Sequence, residues 1–473
     1  MKQLLTSLTA LLLVSGGCTP DEEPEATIRI DLARRGADIP ASMYGIFFEE
    51  INHAGDGGLY AELIQNRGFE DSSVPEGYTV KGDRIFPPTD RANHLTGARP
   101  HPDLSFRWNP DPIPAWRFEQ LEGSGASAEL TREYPLNEAS PTALKVTLPE
   151  KGRISLSNCG FWGMNIEKGK GYYLRMNTSN GNRFEGRAIL KLVAEDGTEL
   201  CNRPLAIDPD RTWCEYTGQL TATGSDPHAR FVIELEGTGT LLLDYVSLFP
   251  ETFRNRINGL RNDIAQTLEA LHPAFVRWPG GCIVEGIDLS NRIEWKKTIG
   301  DPKNRPGIYD TWGYRATMGF GYHEFLQFCE DIGAAGMFVC NAGIGCQGRV
   351  GDACREEDLD AFIQDALDAI DYALGDGTTE WSRKRVENGH PEPFPLQYVE
   401  IGNENWGPIY EKRYDRFYRA IKAKYPRLTL ISTLGLGGQH RHERVDMIDP
   451  HWYVAPEFFL SSSRLFDQQE RGG

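Results

Sequence analysis

The stretch YVEIGNENWG, residues 398–407, sets Glu400 and Glu404 four positions apart around a Gly-Asn pair. The apolar run LQYVEI before it reads as a strand, which puts Glu404 where strand gives way to loop, with Asn403 just before it and Trp406 two residues on. A carboxyl group in that place, partly shielded by Trp406, could have its pKa raised by desolvation and so donate a proton to a departing glycosidic oxygen near neutral pH. The adjoining Asn403 amide can hydrogen-bond a sugar hydroxyl, a contact that strengthens in an oxocarbenium-like transition state. Glu400 is still inside the strand, on the same side as Glu404 but further down, and reads as a buried structural carboxylate. Chemistry of this kind takes two carboxylates, so Glu404 needs a partner.

Other chemistries find little support. The chain has no HExxH, no GxGxxG and no phosphate loop, and none of its cysteines forms a CxxC pair, so neither a metal nor a cofactor is expected. Of its 473 residues, 40% are hydrophobic and 25% charged, which suits globular folding. A net charge of −18 without a basic stripe would repel a polyanion, which argues against nucleic acid and for a neutral ligand.

Two textures of sequence must position these residues. Residues 113–250 form a series of short β-patterned runs, among them ALKVTL, RISLS, RAILKLVAEDG and TLLLDYVSLF, separated by turn signals at a spacing that suits an antiparallel sandwich. After residue 252 strands alternate with helices. Leu260, Ile264, Leu268 and Leu271 make one helical stripe, residues 322–333 a second helix, Leu359 to Ile370 a third, and Tyr414 to Ile421 a fourth. Polar and Gly-rich residues at each strand's C-terminal end are the pattern of a (β/α)₈ TIM barrel, whose site gathers at that end. The expected class is therefore α/β, with an inserted antiparallel β-sandwich. Counting YGIFFEE, AFVRWPGG, GMFVCNAG, LQYVEIGNEN, LTLISTLGLGG and MIDPHWYVAPEFF gives about six strands where a closed barrel has eight. The expected organisation is 28–112 as N-terminal strand and first barrel unit, 113–250 as the sandwich, and 251–473 as an incomplete barrel.

Taken together, YGIFFEEINHAGDGGLYAELIQNRGFE, FVRWPGGCIVEG, WKKTIGDPKNRPG, GYHEFLQFCEDIGA, IGNENWG and DPHWYVAPEFF resemble, in chain order, the α-L-arabinofuranosidases of glycoside hydrolase family 51. The inserted segment ending LLLDYVSLFP resembles a family 4 type carbohydrate-binding module. The resemblance implies a retaining hydrolase that releases terminal α-L-arabinofuranosyl residues from arabinan- or arabinoxylan-type polysaccharides, with no cofactor. Glu404 then matches the general acid/base and Asn403 its sugar-binding neighbour. Glu49 matches a glutamate that holds hydroxyls of the arabinofuranose, and Arg277 and Cys282 match residues near the sugar and nucleophile. Asn341 matches a third-strand contact, and His451 and Tyr453 a sixth-strand pair that touches sugar and orients the nucleophile. In the family the nucleophile is a glutamate on the seventh strand, roughly 5 to 5.5 Å from the acid/base. Glu443, Asp446, Asp449, Glu457, Asp467 and Glu470 all follow Glu404, yet none ends a seventh β-patterned run, so the chain is expected to be truncated and its retaining activity impaired. ATIRIDL is expected as a strand left without its usual partner. Two other readings stay open. One is a catalytically silent glycan-binding lipoprotein using Trp162, Tyr172, Tyr173, Trp213 and Tyr216; the other is a barrel glycosidase of another bond, such as a β-xylosidase or endoglucanase.

The N-terminus MKQLLTSLTALLLVSGGCTPDEEPE has one early lysine and an apolar run too short to span a bilayer, the proportions of a signal peptide over residues 1–17. Ser15-Gly16-Gly17-Cys18 resembles a lipoprotein box and residues 18–27 an acidic tether, which implies lipidation of Cys18 and export to the periplasm or cell surface. The membrane would be touched only through that anchor. Spacing leaves disulfide pairing and oligomeric state open.

Overall fold

Short apolar runs that end in polar, Gly-rich loops are stable only as strands buried on both faces, and the chain uses them in that way. The computed structural model describes residues 29–34, 38–88, 103–208, 212–434 and 444–465, without the side chains of 181–183 and 434. The apolar leader, Cys18 and the acidic tether lie outside the described residues, as do Glu443, Asp467 and Glu470. Among the described residues no helix is long and apolar enough to cross a membrane.

Six strands, Ile46–Phe47, Phe275–Trp278, Ala335–Cys340, Leu396–Ile401, Thr429–Leu434 and Met447–Pro450, form one sheet in chain order. Every pairing is parallel, from Ile46 opposite Val276 to Leu434 opposite Pro450. Parallel neighbours need a crossover, and helices supply most of it: Asn262–Ala270, Tyr322–Ile332, Leu359–Leu374 and Pro408–Lys424. Each predicted helix is thus present, and Glu380–Glu387 is one more, in a stretch too polar to show an apolar stripe. The Leu359–Leu374 helix turns Leu359, Ile363, Ala366 and Ile370 inward, the i, i+4, i+7 face read from the sequence. That face joins Trp278, Tyr322, Phe325, Phe338, Val399, Tyr414 and Phe417 in the main core. Several expected strands are shorter than their runs: MIDPHWYVAPEFF keeps only Met447–Pro450 as strand, and its end opens the short helix Pro456–Ser461. YGIFFEE contributes only Ile46–Phe47, because Phe48 onward already turns into the site, and the described part of ATIRIDL, Arg29–Leu32, is exposed and in no strand.

The inserted segment forms an eight-stranded antiparallel sheet between Trp116 and Phe249. Its long strands, Ala143–Asn158, Gly171–Val193 and Asp226–Phe249, pair with one another through register breaks such as that between Gly237 and Gly239. Such irregularities bend a strand, and the sheet folds around its own core of Leu144, Val146, Leu156, Met176, Leu190, Phe231, Ile233 and Leu243. It is tied to the barrel segment before it by buried polar bonds. Glu62 accepts from the Leu248 backbone N–H at 2.8 Å, from Ser247 Oγ at 2.6 Å and from Arg67 Nη1 at 3.1 Å. Residues from Tyr44 onward accordingly form one compact unit rather than two.

Candidate active site at the strand ends

The C-terminal ends of the parallel strands bring Glu49, Arg277, Glu400, Asn403, Glu404 and His451 to one end of the sheet. A buried ion pair anchors them. Arg277, 5% exposed, donates from Nε to Glu400 Oε2 at 2.6 Å and from Nη2 to Glu400 Oε1 at 3.0 Å, with Glu400 fully buried. The same guanidinium reaches Asn403 Oδ1 at 3.0 Å and the Gly280 carbonyl at 2.9 Å. Burial pushes the Glu400 carboxyl up while Arg277 pulls it back. Glu400 is thus the structural carboxylate its place inside the strand suggested, and Arg277 ties it to the loop after the fourth strand through Asn403.

That loop is strained where it matters. Glu404 has φ 46°, a left-handed conformation that non-glycine residues adopt rarely and mostly under tertiary compulsion. The compulsion comes from both sides of it. Asn403 and Asn405 are fully buried and donate to the two oxygens of Glu285, at 3.1 and 2.7 Å. Asn403, expected to offer its amide to a sugar, spends its oxygen on Arg277 and one N–H on Glu285. Glu285 is itself buried, which drives its carboxyl well above the ordinary range.

Glu404 itself faces the sixth strand. Its Oε1 lies 2.8 Å from His451 Nδ1 and accepts from Tyr453 OH at 2.6 Å. Among the described residues nothing bonds to Oε2. His451 bridges onward through Nε2 to Asp449 Oδ2 at 3.0 Å. Hydrogen bonds to Asp449 and Glu404 raise the imidazole to about 10, so it is an imidazolium at neutral pH. Tyr453 is raised to about 12 by its bond to Glu404. The same His451 bond, outweighing burial and helped by Tyr453, holds the Glu404 carboxyl below its ordinary value. This corrects the expectation of a carboxyl raised by desolvation: Glu404 is only half-buried, and Trp406, expected to shield it, is itself 49% exposed. The proton therefore rests on His451, one hydrogen bond from Glu404.

Glu49 stands at the end of the first strand, buried, with Oε1 accepting from Trp312 Nε1 at 3.2 Å. Burial raises its carboxyl, against the Trp312 bond and the charge of Arg277. Gly280, at φ 140°, packs so closely that a Cβ there would lie 2.6 to 2.8 Å from the Cγ, Cβ and Cα of Glu49. Cys282 follows in the same loop as a free thiol lowered to about 7 by its bond with Cys346 and by Arg349, whose Nη1 is 3.0 Å from Cys346 Sγ. Asn341 takes a different part. Its amide donates to the Val284 and Ile344 carbonyls and accepts from the Gly343 and Ile344 N–H groups, which shapes the loop after the third strand.

Two groups have the donor types of a metal site: Cys282, Glu285 and Cys346, and Glu400, Asp449 and His451. Each already has an arginine bonded to one of its members, Arg349 to Cys346 in the first and Arg277 to Glu400 in the second, a positive charge that disfavours a metal ion there. Sequence reading missed Glu285, Asn405, Trp312 and Arg349, and it named Asp449 without its bond to His451. The Asp449 bond was legible from its place two residues before His451, at the end of the sixth strand; Asn405 and Trp312 lie in loops whose partners, Glu285 and Glu49, are more than 100 positions away.

A profile of the Alpha-L-arabinofuranosidase 1 domain matches residues 267–471. The chain is 34% identical to the "Extracellular exo-alpha-L-arabinofuranosidase" of Streptomyces chartreusis over 99% of its own length and 55% of that protein's. It is also 34% identical to "Alpha-L-arabinofuranosidase 1" of Arabidopsis thaliana, over 100% of this chain and 67% of that one. A solved arabinose-bound GH51 α-L-arabinofuranosidase superposes with a TM-score of 0.76 at 31% identity, over 92% of this chain and 65% of that chain. The chain thus spans between 55% and 67% of the lengths of these relatives.

Proposed function

This chain belongs to glycoside hydrolase family 51, the α-L-arabinofuranosidases, and from that premise we propose that it binds a terminal α-L-arabinofuranosyl residue of an arabinan- or arabinoxylan-type polysaccharide at the strand-end rim, with Glu404 as its acid/base. The observation that carries this reading is the Glu404 carboxylate itself: one oxygen takes both protein bonds, and the other is left for a substrate oxygen. In this reading His451 and Glu404 share one proton. For donation the carboxyl must carry its proton on Oε2, facing the leaving glycosidic oxygen, which becomes the better acceptor as its bond to the anomeric carbon breaks; His451 and Tyr453 hold Oε1 and fix that orientation. Glu49, its carboxyl raised by burial, can accept from sugar hydroxyls. Asn403, Asn341 and Arg277 hold the loops that shape the pocket, while Cys282 and Tyr453 stand at its edge.

A retaining displacement also needs a carboxylate on the opposite face of the sugar. Among the described residues three carboxylates near Glu404 are engaged by protein groups, Glu400 by Arg277, Asp449 by His451, and Glu285 by Asn403 and Asn405, and Glu49 is assigned to the sugar hydroxyls. The 473-residue chain is therefore expected to bind arabinofuranose better than it turns it over. The apolar leader and Cys18 support export, in keeping with the extracellular relative from Streptomyces chartreusis. Residues 113–250 are proposed to serve as a carbohydrate-binding module, and Cys18 as a lipid anchor.

Two measurements on this chain test the proposal: calorimetric titration with L-arabinose, and arabinose release from arabinan and from an aryl α-L-arabinofuranoside. Arabinose should bind, and whatever release occurs should fall about 10²- to 10⁴-fold on arabinan in Glu404→Gln, with a smaller loss on the aryl substrate, whose leaving group needs no proton. Wild-type turnover of about 10 s⁻¹ or more would show that a carboxylate assigned here to structure performs the displacement. Equal rates in Glu404→Gln, or a preference for xylosides or glucans, would reject the reading.

A further inference from the structure

Trp162 is 66% exposed, at the tip of the turn between the Ala143–Asn158 and Met164–Ile166 strands of the inserted sheet. An exposed tryptophan is costly to solubility unless something covers it, and this one is held in place firmly. Asn158, fully buried, donates from Nδ2 to the Gln65 carbonyl at 2.9 Å and accepts the Gly160 N–H on Oδ1 at 2.9 Å. Gly163, at φ 96°, closes the turn with a bond to the Cys159 carbonyl at 3.0 Å. The turn is built to present a side chain, and it presents it to the barrel.

The contacts run inward ring by ring. Trp162 meets His53 edge to face, with centroids 5.6 Å apart, and Phe161 meets the same His53 at 5.3 Å. His53 stacks on Tyr314 at 4.0 Å. Tyr314 OH donates to Glu50 Oε1 at 3.0 Å, beside Glu49, which holds Trp312. An indole from the inserted sheet therefore continues the rim that begins at Glu49, one aromatic layer further out. His53 reaches only part of the indole, so most of its surface is open.

We propose that Trp162 is a sugar-stacking platform for the part of a neutral glycan that lies beyond the terminal arabinofuranose, so that the inserted sheet supplies an outer subsite of the barrel's own cleft. This rests on the functional reading of the rim given above. The occupant is a neutral sugar ring, because its C–H face is apolar and matches the indole, and because a chain of net charge −18 disfavours an anionic polymer.

The test titrates the Glu404→Gln chain, which prevents turnover, with free L-arabinose and with an arabinofuranosyl-substituted xylotriose, each alone and with Trp162→Ala or Trp162→Phe added. Thermal melts of the three proteins accompany the titrations. The oligosaccharide should bind more tightly than arabinose. Trp162→Ala should weaken the oligosaccharide about 3- to 10-fold, leave arabinose unchanged, and be largely rescued by Phe. Equal weakening of both ligands, or no weakening, overturns the platform. Should Trp162→Ala instead abolish self-association while leaving oligosaccharide affinity intact, the occupant is a second copy of the chain and the proposal fails. If arabinose does not bind but the oligosaccharide does, through Trp162, the platform stands and the arabinofuranose reading of the rim falls.

Discussion

At the scale of single residues, the site is governed by one proton and the groups that compete for it. His451 sits between two carboxylates, and its pKa is raised to about 10 from an ordinary value near 6.5. A group raised on folding stabilises the native state fully below its unfolded pKa and loses that contribution as pH climbs through the folded value. Glu404, held low by the same bond, contributes above its ordinary carboxylate range and loses this as pH falls. The pair therefore favours a stability plateau from roughly pH 5 to pH 7, with a decline between about pH 7 and pH 10 as His451 deprotonates. Melting curves across that range should show a decline for the wild type that is shallower in His451→Gln; superimposable profiles would mean the bridge adds nothing to folding. Glu404 was legible from its place at a strand end, and so was the structural role of Glu400. The direction of the Glu404 shift was not legible, because His451 is 47 positions away and only folding brings its ring to Oε1.

At the scale of elements, the loop Trp278–Cys282 and the end of the first strand must fit together at nearly zero clearance. Parallel pairing sets Phe47 opposite Arg277, so the residues that follow each strand meet at once, and Gly280 lies against Glu49. A methyl group at Gly280 would collide with Glu49 and would sit on a backbone φ that L-residues avoid. Gly280→Ala should destabilise the fold by more than about 1 kcal/mol and weaken arabinose binding about tenfold, the worth of one charged hydrogen bond. Calorimetry and a thermal melt check both, and unchanged affinity would show that Glu49 does not need this position. The two glycines in RWPGGC were visible in the sequence as a Gly-rich strand end. Their actual reason, a glutamate from a strand more than 200 residues earlier, was not.

At the scale of the molecule, the parallel sheet has two open margins among the described residues: the first strand pairs only with the second, and the sixth only with the fifth. Tyr44, Phe47, Met447, Phe459 and Leu460 are all exposed near those margins. Unpaired strand edges beside apolar surface template association, so the 473-residue chain should self-associate with rising concentration and bind a hydrophobic dye. A monomer that stays dye-negative by sedimentation and fluorescence would refute this. By itself the sequence determined the period of each element, and hence the helices, the number of barrel strands, the antiparallel insert and the position of Glu404 at a strand end. Those are local properties: hydrophobic period and turn chemistry act over a few residues. Only the tertiary structure decided that Arg277 pairs with Glu400, that Glu285 grips both asparagines, that His451 bridges Glu404 and Asp449 and that Trp162 reaches the barrel. Each of these depends on burial and on contacts between distant segments, and side-chain electrostatics follow burial rather than spacing.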